Sequence, residues 1–255
     1  MKGIDVSAHQ GAIDWEAVKS DGIEFAIIRA GYGLSTTDDY FERNITEAIR
    51  VGLKVGVYWF SYALDKEDAV IEADYCHFKI QKYKIDFPVF YDFEYATETY
   101  AEKNGVTYTN ESRSSIIKAF CERIKEHGHD CGIYANLDYI KYKLDMKPLE
   151  DYPLWLANYG ATEGQTELKE FMRQTTNSGK VQGIAGNVDL DECFAEINDN
   201  NPSEWLEEAI KWAVKNSILR GDTSGNLVLR EPCTVEKAIT FLYRALKNIK
   251  FDIGE

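Results

Sequence analysis

The chain has 255 residues, 44% of them apolar, with 12 Phe, 5 Trp and 16 Tyr. That supports one large α/β domain with a substantial core, plus a small appendix. Its formal charge of −14, from 29 basic and 43 acidic residues, excludes a nucleic-acid partner and electrostatic anchoring on an anionic membrane.

Residues 3–7 read as a short strand in which Asp5 is an unusual occupant. Asp14 caps a short helix over 15–19. Residues 24–30 form a nearly continuous apolar run, as in a strand covered on both faces. The spacing of Phe41, Ile45, Ala48 and Ile49 predicts a helix over 40–51, stopped by Gly52. Residues 54–62 form the next strand, and 66–82 are again helical.

The stretch 87–95 is aromatic and β-branched, with Pro88 confined to its start, and is predicted to be a strand. Asp92 and Glu94 stand two residues apart near its end. Strand side chains alternate, so the two carboxyls project from one face with Cα atoms roughly 6.5–7 Å apart. That spacing suits acid/base work on a glycosidic bond, and mutual repulsion raises the pKa of one of them. A lone acidic pair of this kind also occurs at solvated strand ends, so the rest of the chain has to decide.

A polar loop is expected over 97–110, then a helix over 111–127 ended by Gly128. Strands follow at 131–136, 152–159, 170–175 and 186–191. Strands alternate with helices for about five units and then succeed one another with little helix between. This predicts an α/β fold: an irregular β/α barrel of about five βα units closed by further β-strands. In such barrels chemistry sits at the carboxyl ends of strands, where Asp92 and Glu94 lie.

Residues 199–202 act as a linker, dividing a barrel over 1–198 from a small helical domain over 199–255. The second piece holds 8 basic and 9 acidic residues, so the acidic excess belongs to the first. In it Asn201 caps a helix carrying Trp205, Ala209, Trp212 and Ala213 on one face. A turn follows at 221–226. Thr234 then caps a second helix with Ile239, Leu242, Leu246 and Ile249 on one side. The five cysteines, at 76, 121, 131, 193 and 233, show no paired spacing, and free, mostly buried thiols are expected. No metal or cofactor is implied. No apolar run approaches the roughly 18 residues a membrane helix needs, and Met1-Lys2-Gly3 runs directly into a strand. The expectation is a chain made in the cytoplasm without a signal peptide and acting after release.

Four segments together resemble the lysozymes of glycoside hydrolase family 25. They are Gly3-Ile4-Asp5-Val6-Ser7-Ala8-His9-Gln10-Gly11, Tyr91-Asp92-Phe93-Glu94, Leu154-Trp155-Leu156-Ala157-Asn158-Tyr159, and Gly183-Ile184-Ala185-Gly186-Asn187-Val188-Asp189-Leu190-Asp191. The resemblance implies an N-acetylmuramidase acting on bacterial peptidoglycan, such as a phage endolysin. It implies Glu94 as general acid and Asp92 as its partner, orienting the substrate's acetamido group or stabilising charge at the anomeric carbon. Asp5 and Asp189 match two further carboxylates of the site, with Asp189 preferred by pattern over Asp191. Tyr62, Tyr134, Trp155 and Tyr159 fall near strand ends, where aromatic rings stack on sugars or pack in cores. Gln174 matches the family, but its neighbours Arg173 and Thr175 replace the aromatics usual there. His9 reads as a local hydrogen-bonding residue, and His77, His127 and His129 as structural or solvated. The alternatives are a chitinase-like glycosidase and a non-catalytic wall-binding module. Residues 199–255 resemble a single surface-layer homology repeat, for which homo-oligomerisation and wall binding both stand as roles.

Overall fold

The computed structural model describes residues 1–160, 168–197, 206–222, 225–227, 229 and 233–248. It divides into two units, one of residues 1–81 and 87–196, the other of 82–86 and 197–255.

The first unit begins with β1 (Lys2–Val6), then α1 (Trp15–Ser20), β2 (Phe25–Tyr32), the two-residue β3 (Thr36–Thr37), α2 (Phe41–Arg50) and β4 (Lys54–Phe60). It continues with α3 (Lys66–Ile80), β5 (Val89–Asp92), α4 (Tyr95–Lys103), α5 (Asn110–Glu126) and β6 (Cys131–Asn136). The last strands are β7 (Leu154–Ala157), β8 (Met172–Gly179) and β9 (Val188–Cys193). The sheet order is β1-β9-β8-β7-β6-β5-β4-β2-β3, and pairing of β1 with β2 closes eight of these strands into a ring. β1, β2 and β4 to β8 run parallel to their neighbours. β9 is antiparallel to both β1 and β8. The expected barrel is therefore present. After β6, where the fifth helical unit was expected, the connection holds single turns at Tyr139–Lys143 and Lys147–Leu149.

The lumen is filled rather than open. Phe25 and Phe87 lie 4.8 Å apart between ring centres, Phe87 meets Phe171, Phe171 meets Phe90, and Phe90 lies 5.3 Å from Trp155. Trp155 also contacts Tyr58 and Tyr134. Each such ring buries roughly 150–250 Å², so this column accounts for much of the core and forms a rigid floor beneath the carboxyl ends of the strands. Alternation sends Tyr91 outward, where its ring stacks on Phe120 of α5 at 3.9 Å. Its neighbours Phe90 and Asp92 therefore point inward.

One expectation is corrected here. The predicted strand over 87–95 ends at Asp92, and α4 (Tyr95–Lys103) takes up its last residue and the first part of the loop predicted over 97–110. Glu94 is the N-cap of that helix and keeps an extended backbone (φ −143°, ψ −168°), so strand-like alternation carries on for two residues past the ladder. Phe93 turns into the core, 1% exposed, against Tyr108. The Tyr95 aromatic ring and the turn-forming Asn104-Gly105 pair made a helix hard to see between two polar flanks.

In the second unit, α6 spans Glu207–Lys215 and α7 spans Val235–Asn248. The expected turn is built on Asp222, whose side chain accepts from the Asn226 amide. Thr234 Oγ1 accepts from the Lys237 amide, as the predicted cap should. Ile239, Leu242 and Leu246 on α7 are each at least 60% exposed. The Asn201 cap, Trp205 and Ile249 lie outside the described residues.

Candidate active site

The site is a cavity of about 300 Å³ at one end of the ring, lined by residues from all eight ring strands and by His9, Glu94 and Tyr159 from the segments that follow three of them. Asp5, Asp92, Glu94 and Asp189 all line it. Asp5 comes from the middle of β1, opposite Asp189 on β9. Asp92 ends β5 and Glu94 follows it. Four acids separated by up to 184 positions in sequence are thus gathered around one cavity by the closing of the ring.

Local hydrogen bonds fix their backbones. Ser61, just past β4, donates its amide to the Asp92 carbonyl at 2.8 Å. The Ser61 carbonyl accepts from Thr97 Oγ1 at 2.8 Å, and that same hydroxyl accepts from the Glu94 amide at 3.3 Å. Behind them, Tyr91 Oη lies 2.8 Å from Ser61 Oγ and donates to Glu72 Oε2 at 2.6 Å. Glu72 Oε1 accepts from the Tyr62 amide. Glu72 is wholly buried on α3, and burial pushes its carboxyl from 4.5 up to about 8.

On β8, beside β9, Gln174 is central. Its Nε2 donates to Asp5 Oδ2 at 2.7 Å, while its Oε1 accepts from the hydroxyls of Tyr134 (3.1 Å) and Tyr159 (2.9 Å). Asp38 secures the entrance. It accepts from Arg29 Nε at 2.8 Å, from the Ala8 amide and from the Tyr40 amide, which holds the 8–10 turn and the guanidinium in place. That turn carries His9 to the rim, with Ser7 and Gln10 forming a capping box beneath it.

The electrostatics follow from crowding acids in a partly dry pocket. Burial, and then Glu94, push Asp92 well above the usual carboxylate range, with Arg29 opposing them. Glu94 is raised by burial and then by Asp189. Asp189 is raised by burial. Asp5 is held well up by burial, then by Asp191 and Asp189, with the Gln174 hydrogen bond opposing. Asp92 and Glu94 titrate as a pair, and the pair keeps protons that isolated carboxyls would have lost. Asp92 lies deep, 7% exposed, whereas Glu94 reaches the accessible side of the cavity. A protonated group in that position can give its proton to a leaving oxygen, while the remaining negative field stabilises positive charge in the ring that oxygen leaves.

The aromatic expectations divide. Tyr134 and Tyr159 line the cavity and are tied by Gln174, and Tyr159 is half exposed. Trp155 lines it too but is only 2% exposed; it serves as floor, and its Nε1 donates to Asp191 Oδ1 at 2.8 Å. Tyr62 is not part of the lining. Its ring turns onto Phe60 (5.2 Å) and Tyr100 (4.8 Å), because its backbone is drawn toward Glu72.

Sequence reasoning missed Arg29, Tyr58 and Asn177 in the lining, and Asp191 beneath it. A lone arginine inside an apolar strand was a usable signal for Arg29. Asn177 had none, because β8 shifts register after Gln174. Asp189 and Asp191 share a face, so preferring one left the other without a role. Of the remaining histidines, His77 stacks on His127 at 4.1 Å, and its Nδ1 lies 3.2 Å from His129 Nε2.

A model of the family described as glycosyl hydrolases family 25 matches residues 4–184. The autolytic lysozyme of Clostridium acetobutylicum is 31% identical over 196 residues, covering 77% of this chain and 56% of that protein. Among solved structures, the modular autolysin LytC from Streptococcus pneumoniae superposes with a TM-score of 0.66 at 27% identity, over 74% of this chain and 46% of that one. The CTP1L endolysin superposes with a TM-score of 0.64 at 26% identity, over 83% and 69%. The chain thus spans about half the length of the first two.

Proposed function

Because the chain belongs to the glycosyl hydrolases of family 25, we propose that it is a lysozyme that hydrolyses the β-1,4 bond between N-acetylmuramic acid and N-acetylglucosamine in bacterial peptidoglycan. The observation that carries this reading is the convergence of Asp5, Asp92, Glu94 and Asp189 on one cavity at the carboxyl ends of the barrel strands. Glu94 protonates the glycosidic oxygen as the bond breaks. Asp92, deeper on the same strand end, orients the acetamido group or stabilises the anomeric carbon. Asp5 and Asp189 extend the negative field over the oxocarbenium-like transition state. Tyr134 and Tyr159, fixed by Gln174, face the sugar.

Loss of turbidity of purified Gram-positive walls, with analysis of the reducing ends released, tests it. Glu94→Gln is expected to lower the rate by roughly 10²–10⁴-fold. Chitin cleavage without wall cleavage would replace the muramidase reading with a chitinase one. Wall binding without any cleavage would leave only a binding module.

The likeness to an endolysin supports a finer proposal: the protein is a phage endolysin, made inside the host cell and acting on the wall after release. Self-association through residues 199–255 is proposed from the exposed apolar stripe of α7. Light scattering on the full chain, with and without a Leu242→Glu, Leu246→Glu pair, tests it. A monomer in both cases defeats it.

A further inference from the structure

We propose that Asp191 is a positioning residue that shares one proton with Asp5 and thereby holds the Asp5 carboxyl against the pocket wall. This rests on the glycosidase reading of the cavity and assigns a task to a residue outside its lining.

Asp191 sits on β9 opposite Gly3 of β1 and Gln174 of β8. It is 2% exposed and Asp5 is 6% exposed. Each receives one neutral donor: Trp155 Nε1 gives its hydrogen to Asp191 Oδ1, and Gln174 Nε2 gives one to Asp5 Oδ2. Asp191 Oδ2 is fully buried and has no partner of its own. Asp5 and Asp191 are diagonal neighbours on one face of the β1–β9 ladder, and Gln174, directly opposite Asp191, reaches across to Asp5. The nearby guanidinium, Arg29, is engaged by Asp38.

Two buried carboxylates with one neutral donor each cannot both stay ionised at this separation, since each would face an uncompensated like charge in a dry site. One proton placed between them removes the repulsion and gives Asp191 Oδ2 the partner it lacks. The other ionisable groups around the pair are Asp189, Asp92, Glu94, Tyr58, Tyr134, Tyr159 and Cys193, with Arg29 and His9 also on the cavity, and the crowded acids among them favour retention of that proton. Burial, with Asp189 adding to it, pushes Asp191 up to about 8, and burial and then Asp191 hold Asp5 well above the usual carboxylate range, so the pair keeps its proton through neutral pH and gives it up only as pH rises further. Once the proton is gone, Asp5 is pushed from its pose and the site loses activity.

The test is kcat and KM on peptidoglycan from about pH 5 to about pH 9.5 for wild type, Asp191→Asn, Asp191→Leu and Glu94→Gln. The amide of Asp191→Asn donates where the shared proton lay and cannot lose it. Its alkaline limb should therefore move up by at least about one pH unit. Asp191→Leu should lower kcat by roughly 10²-fold with KM within about twofold, and Asn should restore most of that loss near pH 6. An alkaline limb that stays in place in Asp191→Asn, or an Asn variant as impaired as Leu, overturns the proposal. If the wild type is inactive, or Glu94→Gln is not impaired, the glycosidase reading fails instead. Infrared spectra decide the proton question in either case, and also if Asp191→Leu does not fold. Near pH 6 the Asn variant should show one protonated carboxyl fewer than wild type, and an unchanged band sinks the proposal.

Discussion

Replacing Glu72 with Gln should stabilise the protein at neutral pH and leave it unchanged in acid. Glu72 is 0% exposed and its carboxyl is pushed from 4.5 up to about 8. Below 4.5 the folded and unfolded chains both hold the proton, and there is no cost. Between 4.5 and 8 only the unfolded chain ionises, so stability falls as pH rises, by about 1.4 kcal/mol per unit. At pH 7 the cumulative loss is about 3 kcal/mol. A glutamine side chain has no proton to lose. Its oxygen can keep the Tyr62 amide, and its amide can donate to Tyr91 Oη once that hydroxyl turns to donate to Ser61 Oγ. Urea unfolding followed through the buried Trp15, Trp59 and Trp155 measures the difference. Equal stability near pH 4.5 and a gain approaching 3 kcal/mol near pH 7 is the expected result. A Gln variant weaker than wild type by the same amount at both values would mean that Glu72 is ionised in the fold, and the reasoning would be wrong.

Thr97→Val removes the hydroxyl that joins the Glu94 amide to Ser61 and should lower kcat by roughly tenfold with KM little changed, while Thr97→Ser restores it. If Val lowers the melting temperature but not kcat, Thr97 serves only the helix. His77 is held below 6.5 by burial first and His127 second. The unfolded chain takes up that proton at higher pH than the folded one, so stability should fall as pH drops through about 6.5. His77→Phe keeps an aromatic face against His127 and should flatten that part of the curve; an unchanged slope would assign the loss to other groups.

The parts of the fold legible in the sequence were those with an apolar period or a cap. β2 and β4 showed as continuous apolar runs because both their faces are covered, and Asp14 and Thr234 announced their helices through short-range capping. Asp92 and Glu94 were readable because two carboxyls at a strand end have few structural uses. What escaped depends on contacts far apart in the chain. Whether Trp155 faces a sugar or supports a carboxyl is decided by Asp191, 36 positions away. Tyr62 was lost from the cavity because a buried glutamate ten residues later draws its backbone aside. Asp191 could not be separated from Asp189 by periodicity, since both occupy one face of β9, and only their depth distinguishes them.

The antiparallel last strand has a temporal consequence. Asp189 belongs to β9, which pairs with β1 across nearly the whole length of the unit, and the terminal amine of Met1 donates to the Cys193 carbonyl. During synthesis, at about 5–20 residues per second, β1 to β7 emerge seconds before β9, which completes the set of acids, and β8 just ahead of it. A ribosome-bound fragment lacking β9 exposes two raw edges and carries an unfinished set of acids. Under the proposed function, hydrolytic competence would therefore come only with the docking of β9 between β1 and β8.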